Sequence, residues 1–376
     1  MPRLETRVWQ PSPDRQPRTY QAFVPDPIAE LDRPLPLAVQ ERCETAARLL
    51  TGLSQRLPVA WEPVARLLLR AEGMASSQIE GLQVPAQRLL EAQLDPAATD
   101  ATARWVLGNI EAVEQAVHDS DRPLSAKRLL AWHRRLMRHS GLPAGYVGRL
   151  REEPSWIGGT TPLDAAYVPP PHEAVGELMD DLVVFANRTD LPAVAQAAIA
   201  HAQFEVIHPF GDGNGRVGRA LVGWVLRRRG VIDRVVPPIS PVLAHQRGAY
   251  LAGLYDYRQG AVNRWVGWFA EVTIAAAARF DELVARAEGL ARSWTERLAD
   301  LRADAAAQRL LPHLVGTAVI DVQSAARLIG VSQRAIRTAM GVLVERRILT
   351  TTRRAATAPG RPAQLWIASD ALKLLE

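Results

Sequence analysis

His208-Pro209-Phe210-Gly211-Asp212-Gly213-Asn214-Gly215-Arg216-Val217-Gly218-Arg219 holds most of the chemistry this chain can do. His208 is the one side chain of the stretch that accepts a proton near neutral pH. Asp212 is a hard oxygen ligand of the kind Mg²⁺ takes when phosphates complete its shell. Gly213 and Gly215 permit the positive-φ geometry that turns consecutive N–H groups inward, and an anion is the natural occupant of such a nest. Arg216 and Arg219, three apart, share a helix face and lean back toward the loop. Two guanidinium groups and a nest describe a polyphosphate cradle with a base and a metal ligand beside it. Phe210 is the apolar anchor of the loop. A plain turn needs none of these residue types together, which makes coincidence a poor account.

Positioning such a loop takes a helix on each side. Leu191 to Ile207 is Ala-rich with helical periodicity, and Arg216 to Arg229 reads as a second helix. The loop therefore opens a helix N-terminus, where the dipole and unpaired N–H groups favour negative charge. His-Pro-Phe-x-Asp-Gly-Asn-Gly-Arg-x-x-Arg resembles the signature of Fic-domain proteins at each defining position. The resemblance covers roughly residues 30–290. It implies a mainly α fold with a β-hairpin flap, and transfer of AMP from Mg·ATP to a Ser, Thr or Tyr hydroxyl of a target protein. It also implies roles: His208 as the catalytic base, Asp212 as the Mg²⁺ ligand, Gly213, Asn214 and Gly215 as the phosphate cradle, and Arg216 and Arg219 on the remaining phosphates.

Upstream, Trp61 to Ile79 places Val64, Leu67, Leu68, Ala71 and Ala75 at helical spacing and runs into Ser76-Ser77-Gln78-Ile79-Glu80-Gly81. On its own, Ser77-x-x-Glu80 has capping-box spacing and Gly81 suits a helix C-cap. Ser-x-x-x-Glu-Gly also resembles the inhibitory-helix motif of some Fic proteins. That resemblance implies autoinhibition by the motif residues Ser76 and Glu80, in which the Glu80 carboxylate pairs bidentately with Arg219 and excludes phosphate. Two competing readings use the same pocket: a hydrolase that removes AMP from a modified protein with Glu80 aligning water, and a transcription regulator that senses nucleotide.

Residues 101–118 and 125–139 read as helices, the second started by Ser125 and carrying Leu129, Leu130, Leu136 and Met137 on its apolar stripe. His133 and His139, beside Arg134, Arg135 and Arg138, read as a solvated basic face. From Gly145 to Pro171, two short apolar runs around a polar tip predict a β-hairpin. By resemblance it is the flap that registers an extended target segment by strand addition, through Trp156, Ile157, Gly158, Tyr167 and Val168. Tyr250, Tyr255, Tyr257 and Asn263 are expected near the nucleotide base, against the ordinary alternative that such aromatics are core.

Composition bounds the rest. The 376 residues are 48% apolar and 23% charged, an ordinary globular chain with length for two to three domains. One cysteine, Cys43, excludes a disulfide framework and fits a reducing cytoplasm. No signal-peptide pattern follows Met1, and no apolar run reaches the roughly 18 residues that span a bilayer, so no membrane partner is expected. Prolines crowd residues 1–36, which predicts an extended surface arm without helix or sheet.

The net charge of +5 lies wholly in residues 317–376, with nine Lys/Arg against four Asp/Glu. There, after a helix predicted from about Trp294 to Leu314, come a helix, a Gly-containing turn and a longer helix, Gln333 to Arg346, capped by Ser332. Ile336, Ala339, Met340 and Leu343 form its buried stripe, leaving Arg334 and Arg337 outward. Ile348–Thr350 and Gln364–Ile367 read as a two-stranded wing carrying Arg353, Arg354 and Arg361. This resembles a winged helix and implies DNA as partner, with a protein as the competing partner. The expected organisation is an N-terminal arm and helices over 1–100, the catalytic domain over 101–290, and a winged helix-turn-helix over 291–376. A homodimer stays open.

Overall fold

A computed structural model describes residues 2–10, 16–57, 62–95, 100–233, 235–353 and 364–375, with only the main chain of Arg353. The chain opens on two antiparallel strands, β1 (Arg3–Trp9) and β2 (Arg18–Val24). The proline-rich arm is thus a hairpin. Among the described residues, its prolines at 2, 17, 25 and 27 lie outside both strands, where no ladder donor is lost.

Helices follow: α1 (Leu37–Arg56), α2 (Glu62–Ile79), α3 (Ala86–Leu94), α4 (Ala101–His118) and α5 (Ala126–Leu136). After a long loop come α6 (His172–Ala186), α7 (Ala193–Ile207), α8 (Asn214–Arg228), α9 (Ile239–His245), α10 (Arg247–Arg258) and α11 (Val262–Arg297). The C-terminal part holds α12 (Ala306–Leu314), β3 (Val319–Ile320), α13 (Val322–Ile329), α14 (Gln333–Glu345), β4 (Thr350–Arg353), β5 (Gln364–Ile367) and α15 (Ser369–Leu372).

The centre is α7, buried along nearly its whole length and on every face, with Gln196, His201 and Gln203 buried among its apolar residues. Alanines at 193, 195, 197, 198, 200 and 202 let its neighbours α1, α6, α8, α10 and α11 approach closely. In place of one helix from Trp294 to Leu314, α11 runs on to Arg297. There Leu298 and Ala299 bond three residues back, a tightened last turn that ends it. In the C-terminal part β5 pairs with β4 and also with β3, so the expected two-stranded wing has a third strand in the order β3-β5-β4. Ser332 caps α14 by accepting from Ala335 N. Among the described residues no helix is long and apolar enough to cross a membrane.

The α2 helix, which leads toward the loop, is held along its length. Gly73 lies so close to α4 that a Cβ would overlap Ile110. Asn109 on α4 donates to Gly73 O (2.9 Å) and to Ser77 Oγ (3.1 Å). The buried Glu72 carboxylate accepts from the Ser240 amide (2.7 Å) and hydroxyl at the start of α9. Arg70 donates to Gly316 O and to Gln93. A Cβ at Gly316 would stand 2.5 Å from Pro63 O, so the C-terminal part packs directly on the start of α2. Gly73→Ala should force α2 and α4 apart and destabilise the fold by about 1–3 kcal/mol, the usual range for overpacking. Urea denaturation monitored by circular dichroism measures it, and an unchanged midpoint would show that the contact yields freely.

Candidate active site

The loop between α7 and α8 is built by residues that are not themselves reactive. α7 ends at His208, whose φ of 51° and ψ of 59° are left-handed. A non-glycine residue pays roughly 1–2 kcal/mol for that conformation. Phe210 is fully buried, and Asn214 clasps it from the far side of the loop. Asn214 Oδ1 accepts from Phe210 N (2.8 Å) and its Nδ2 donates to Phe210 O (2.9 Å). The Asn214 side chain is thus spent on the loop, and only its main chain remains for an anion. Gly213 has φ of 80° and stands where a Cβ would lie 2.9 Å from Leu136 Cδ2. Gly215 is already helical and has no positive φ. A Cβ there would overlap Glu80 Oε1 and stand 2.8 Å from Arg219 Nη1, so a side chain at this position would displace the Glu80–Arg219 contact as it stands.

The floor of the loop is His133, which is wholly buried and not part of a solvated face. Its ring stacks on Phe210, with centroids 3.9 Å apart and planes within 7°. Gly148 N donates to Nδ1 (2.9 Å), so the neutral ring carries its hydrogen on Nε2 and donates it to Asp212 O at 3.0 Å. Burial holds its pKa down at about 4, which keeps that tautomer in place at neutral pH. Leu129, Trp132, His133 and Leu136 are the true inward stripe, at spacings of three and four. That periodicity was the available signal, and the run of arginines beside His133 masked it.

Arg219 has only 2% of its side chain exposed. Its Nε donates to Ser76 Oγ (2.9 Å), and its Nη2 donates to Ser76 O (2.8 Å) and to Glu80 Oε1 (2.7 Å). The expected bidentate fork is therefore divided between Glu80 and Ser76. Burial opposes both charges. Arg219 nevertheless holds the Glu80 carboxyl below its ordinary range, and Glu80 raises Arg219. Gly81, with φ of 81°, ends α2 as a C-cap. Ser77 caps nothing: its hydroxyl donates to Gly73 O (2.9 Å) inside the helix. The Arg216 side chain is buried and reaches Asp212 Oδ1 at 3.2 Å. Asp212 itself is 57% exposed. Among the described residues no group of three or more His, Cys, Asp or Glu could hold a metal. A lone exposed carboxylate fits an ion whose other ligands come from a bound phosphate.

His208 Nδ1 is buried without a hydrogen-bond partner. Burial, then the charge of Arg151, lowers the pKa to about 4, so the ring is neutral and able to accept a proton at pH 7. The expected flap is cut to one antiparallel pair, Ile157 with Tyr167, bonded at 2.8 and 3.1 Å. Gly158 and Gly159 turn left-handed at 68° and 92°, and prolines at 154, 162 and 169–171 remove donors that longer strands would need. Trp156 is half-buried and Ile157 is 40% exposed. Val168 is buried, and its carbonyl accepts from Phe23 N of β2 (2.9 Å), so that edge is already taken. On the other side of this pair, Trp156 and Gly158 flank Ile157, and the Gly158 carbonyl accepts from Ala166 N (3.2 Å). Tyr250 and Tyr257 are core residues, bonded to His201 (2.9 Å) and Gln203 (3.0 Å), while Tyr255 is exposed. Arg334 and Arg337 lie exposed on α14; Arg354, Arg361 and the Arg353 side chain lie outside the described residues.

Sequence reasoning missed Arg151, His201 and Glu205. Glu205, one turn before His208, has a sealed Oε1 without a partner, near the likewise unpartnered His201 Nδ1. A Cβ at Gly218 would stand 2.9 and 3.1 Å from these two atoms.

Residues 123–226 match the Fic/DOC family, and residues 40–118 match the Fic/DOC family N-terminal region. An Aquifex aeolicus protein named "Probable protein adenylyltransferase" is 27% identical over 198 residues, 52% of this chain and 57% of that one. The Caenorhabditis elegans "Protein adenylyltransferase fic-1" is 29% identical over 200 residues, 53% of this chain and 36% of that protein. The chain thus spans about half or less of these relatives. A Fic family protein from Desulfovibrio desulfuricans superposes with a TM-score of 0.53 at 21% identity, covering 89% of this chain and 97% of that one.

Burial pushes the Glu205 carboxyl up to about 8, against the pull of Arg219, from an ordinary 4.5. A raised carboxyl stabilises the fold fully below its unfolded value, and that contribution is lost as pH climbs through the folded one. Glu205→Gln should therefore raise the melting temperature more at pH 8 than at pH 5. Equal gains at both would mean that Glu205 is ionised in the fold. The loop, its floor and the α2 contact all fall inside the matched segments, so residues 123–226 carry a Fic/DOC domain and residues 40–118 its N-terminal region.

Proposed function

We propose that the chain is a protein adenylyltransferase that moves AMP from ATP to a hydroxyl of a target protein and is restrained by Glu80. The carrying observation is the convergence of His208, the α8 N-terminus, Arg216 and Arg219 at one loop, a base beside a cationic anion site. The names of the relatives support the same activity. The neutral His208 takes the proton of the target hydroxyl, whose oxygen attacks the α-phosphorus of ATP. Pyrophosphate leaves as AMP is joined to the target. Main-chain N–H groups of Asn214 and Gly215 and the two arginines hold the phosphates, the Gly213 amide being given to Asp212 Oδ1 (2.5 Å). Mg²⁺ held by Asp212 would neutralise phosphate charge. Glu80 Oε1, lying against Gly215, occupies the ground a phosphate needs and engages Arg219 as well. A cytoplasmic setting belongs to this proposal, consistent with the single Cys43, a buried free thiol.

Incubating Glu80→Gly with each nucleoside triphosphate and measuring intact mass tests this reading. The variant should gain AMP on itself or on a target, and Arg219→Ala in the same background should abolish the gain. His208→Ala should cut transfer by about 10²–10⁴ with nucleotide still bound. If Glu80→Gly instead lowered modification and lost an AMP-removing activity, the site would be a hydrolase.

For the C-terminal part we propose duplex DNA as partner, read by the exposed Arg334 and Arg337 on the face of α14 opposite the buried Ile336 and Met340. Full-length chain should bind duplex with a log K against log salt slope of about −0.9 per neutralised phosphate. Arg334→Ala or Arg337→Ala should change sequence preference. Absence of binding at low salt would favour a protein partner.

A further inference from the structure

We propose that Arg151 is a positioning residue, a clamp that fixes the 153–170 loop and the main chain of His208 to each other. The proposal rests on the adenylyltransfer reading only for what the clamp is used for. Arg151 is 4% exposed, and its guanidinium is answered entirely by main-chain carbonyls. Its Nε donates to His208 O (2.8 Å) and its Nη1 to Glu153 O (3.1 Å). Its Nη2 donates to Pro170 O and, at 3.4 Å, to Ile207 O. Its own amide donates to Pro209 O (2.9 Å), so it holds the chain on both sides of the left-handed His208.

The four acceptors fall into two pairs. Ile207 and His208 carry the carbonyls at the C-terminus of α7, where a cation is favoured by the helix dipole. Glu153 and Pro170 are the two feet of the loop whose middle pairs Ile157 with Tyr167. One planar group with a fixed fork joins both feet to the end of the helix that carries the base. An ammonium group cannot reproduce this, since its donors radiate from one point. A second tie runs parallel to it: Tyr167 Oη donates to Val206 O at 2.6 Å, with the Arg258 guanidinium 4.1 Å from the centre of the Tyr167 ring. A polypeptide aligned along the Trp156–Gly158 edge is thereby held in fixed register with His208. A water molecule, which needs no such edge, gains nothing from the clamp beyond the placement of the base.

Two readouts test it on the full chain. In amide hydrogen exchange, Arg151→Lys should speed exchange at Ile157, Ala166 and Tyr167 relative to the parent while α7 amides from Ala197 to Phe204 keep their protection. Tyr167→Phe, which removes one hydroxyl and no packing, should move exchange at Ile157 and Ala166 in the same direction by less. In the Glu80→Gly background, Arg151→Lys should lower the ratio of AMP joined to protein over AMP released to water by about 10²-fold, with the ATP dissociation constant from calorimetry within about twofold of the parent. Unchanged exchange in the loop, or an unchanged ratio in an active parent, would overturn the clamp. So would global loss of protection in Arg151→Lys accompanied by protection of the loop like the parent's in Tyr167→Phe. If the Glu80→Gly parent transfers no AMP to protein or water, the adenylyltransfer reading fails, and the exchange data still decide the tie.

Discussion

A guanidinium sealed inside a helical protein must be answered by acceptors, and Arg219 finds Ser76 Oγ, Ser76 O and Glu80 Oε1 in the last turn of α2 and the residue just beyond it. Much of the surrounding architecture follows from that demand. Ser76 lies in the last turn of α2, so α2 has to be fixed in both position and rotation for its hydroxyl and carbonyl to face α8. The contacts that do this are themselves buried and polar: Asn109 and Ser77 at the Gly73 carbonyl, Glu72 at the head of α9, and Arg70 at Gly316. Each would be expensive if left unpaired, and each is directional, so together they set the register of α2 more tightly than apolar packing alone. The C-terminal part joins this scheme through Gly316, which makes it a support for α2.

The loop itself depends on a second buried ring. His133 receives one hydrogen bond and gives one, so it reports the position of Gly148 to Asp212 with no freedom to titrate at neutral pH. Phe210, stacked on it, is held in turn by Asn214. His208 and Asp212, the residues proposed to do chemistry, thus stand beside buried side chains that bond only to the loop and its neighbours.

Reading the sequence recovered the loop because each residue there answers a distinct chemical need within a short stretch. Glu80 and Arg219, 139 positions apart, could be joined only through the family pattern, since nothing local links them. Other features were hidden for physical reasons. Arg151 bonds to main-chain carbonyls, which every residue possesses, so its partners leave no trace in residue types. His133 is polar among arginines, yet its spacing from Leu129 and Leu136 placed it inside. The N-terminal hairpin was obscured by prolines that turned out to punctuate the strands. The alternation around 156–168 predicts a hairpin, but its glycines and prolines shorten it to one bridge, Ile157 with Tyr167, and one further bond from Ala166 N to Gly158 O.

The end of α2 carries a consequence for timing. Beyond Ser77 the chain is tied by Glu80 N to Ser77 O (3.1 Å), Gly81 N to Gln78 O (2.9 Å) and Leu82 N to Ser77 O (3.0 Å), while the helix body before it is locked. Motion that carries Glu80 off Arg219 is therefore the fraying of one turn, an event of nanoseconds to microseconds, whereas enzymes turn over at about 1–10³ per second. On the proposed restraint by Glu80, the contact would re-equilibrate many times within a single catalytic cycle. The site would then act as a rheostat, its resting output a leak equal to the fraction of time that the carboxylate is away, changing tenfold for about every 1.4 kcal/mol in the strength of that last turn.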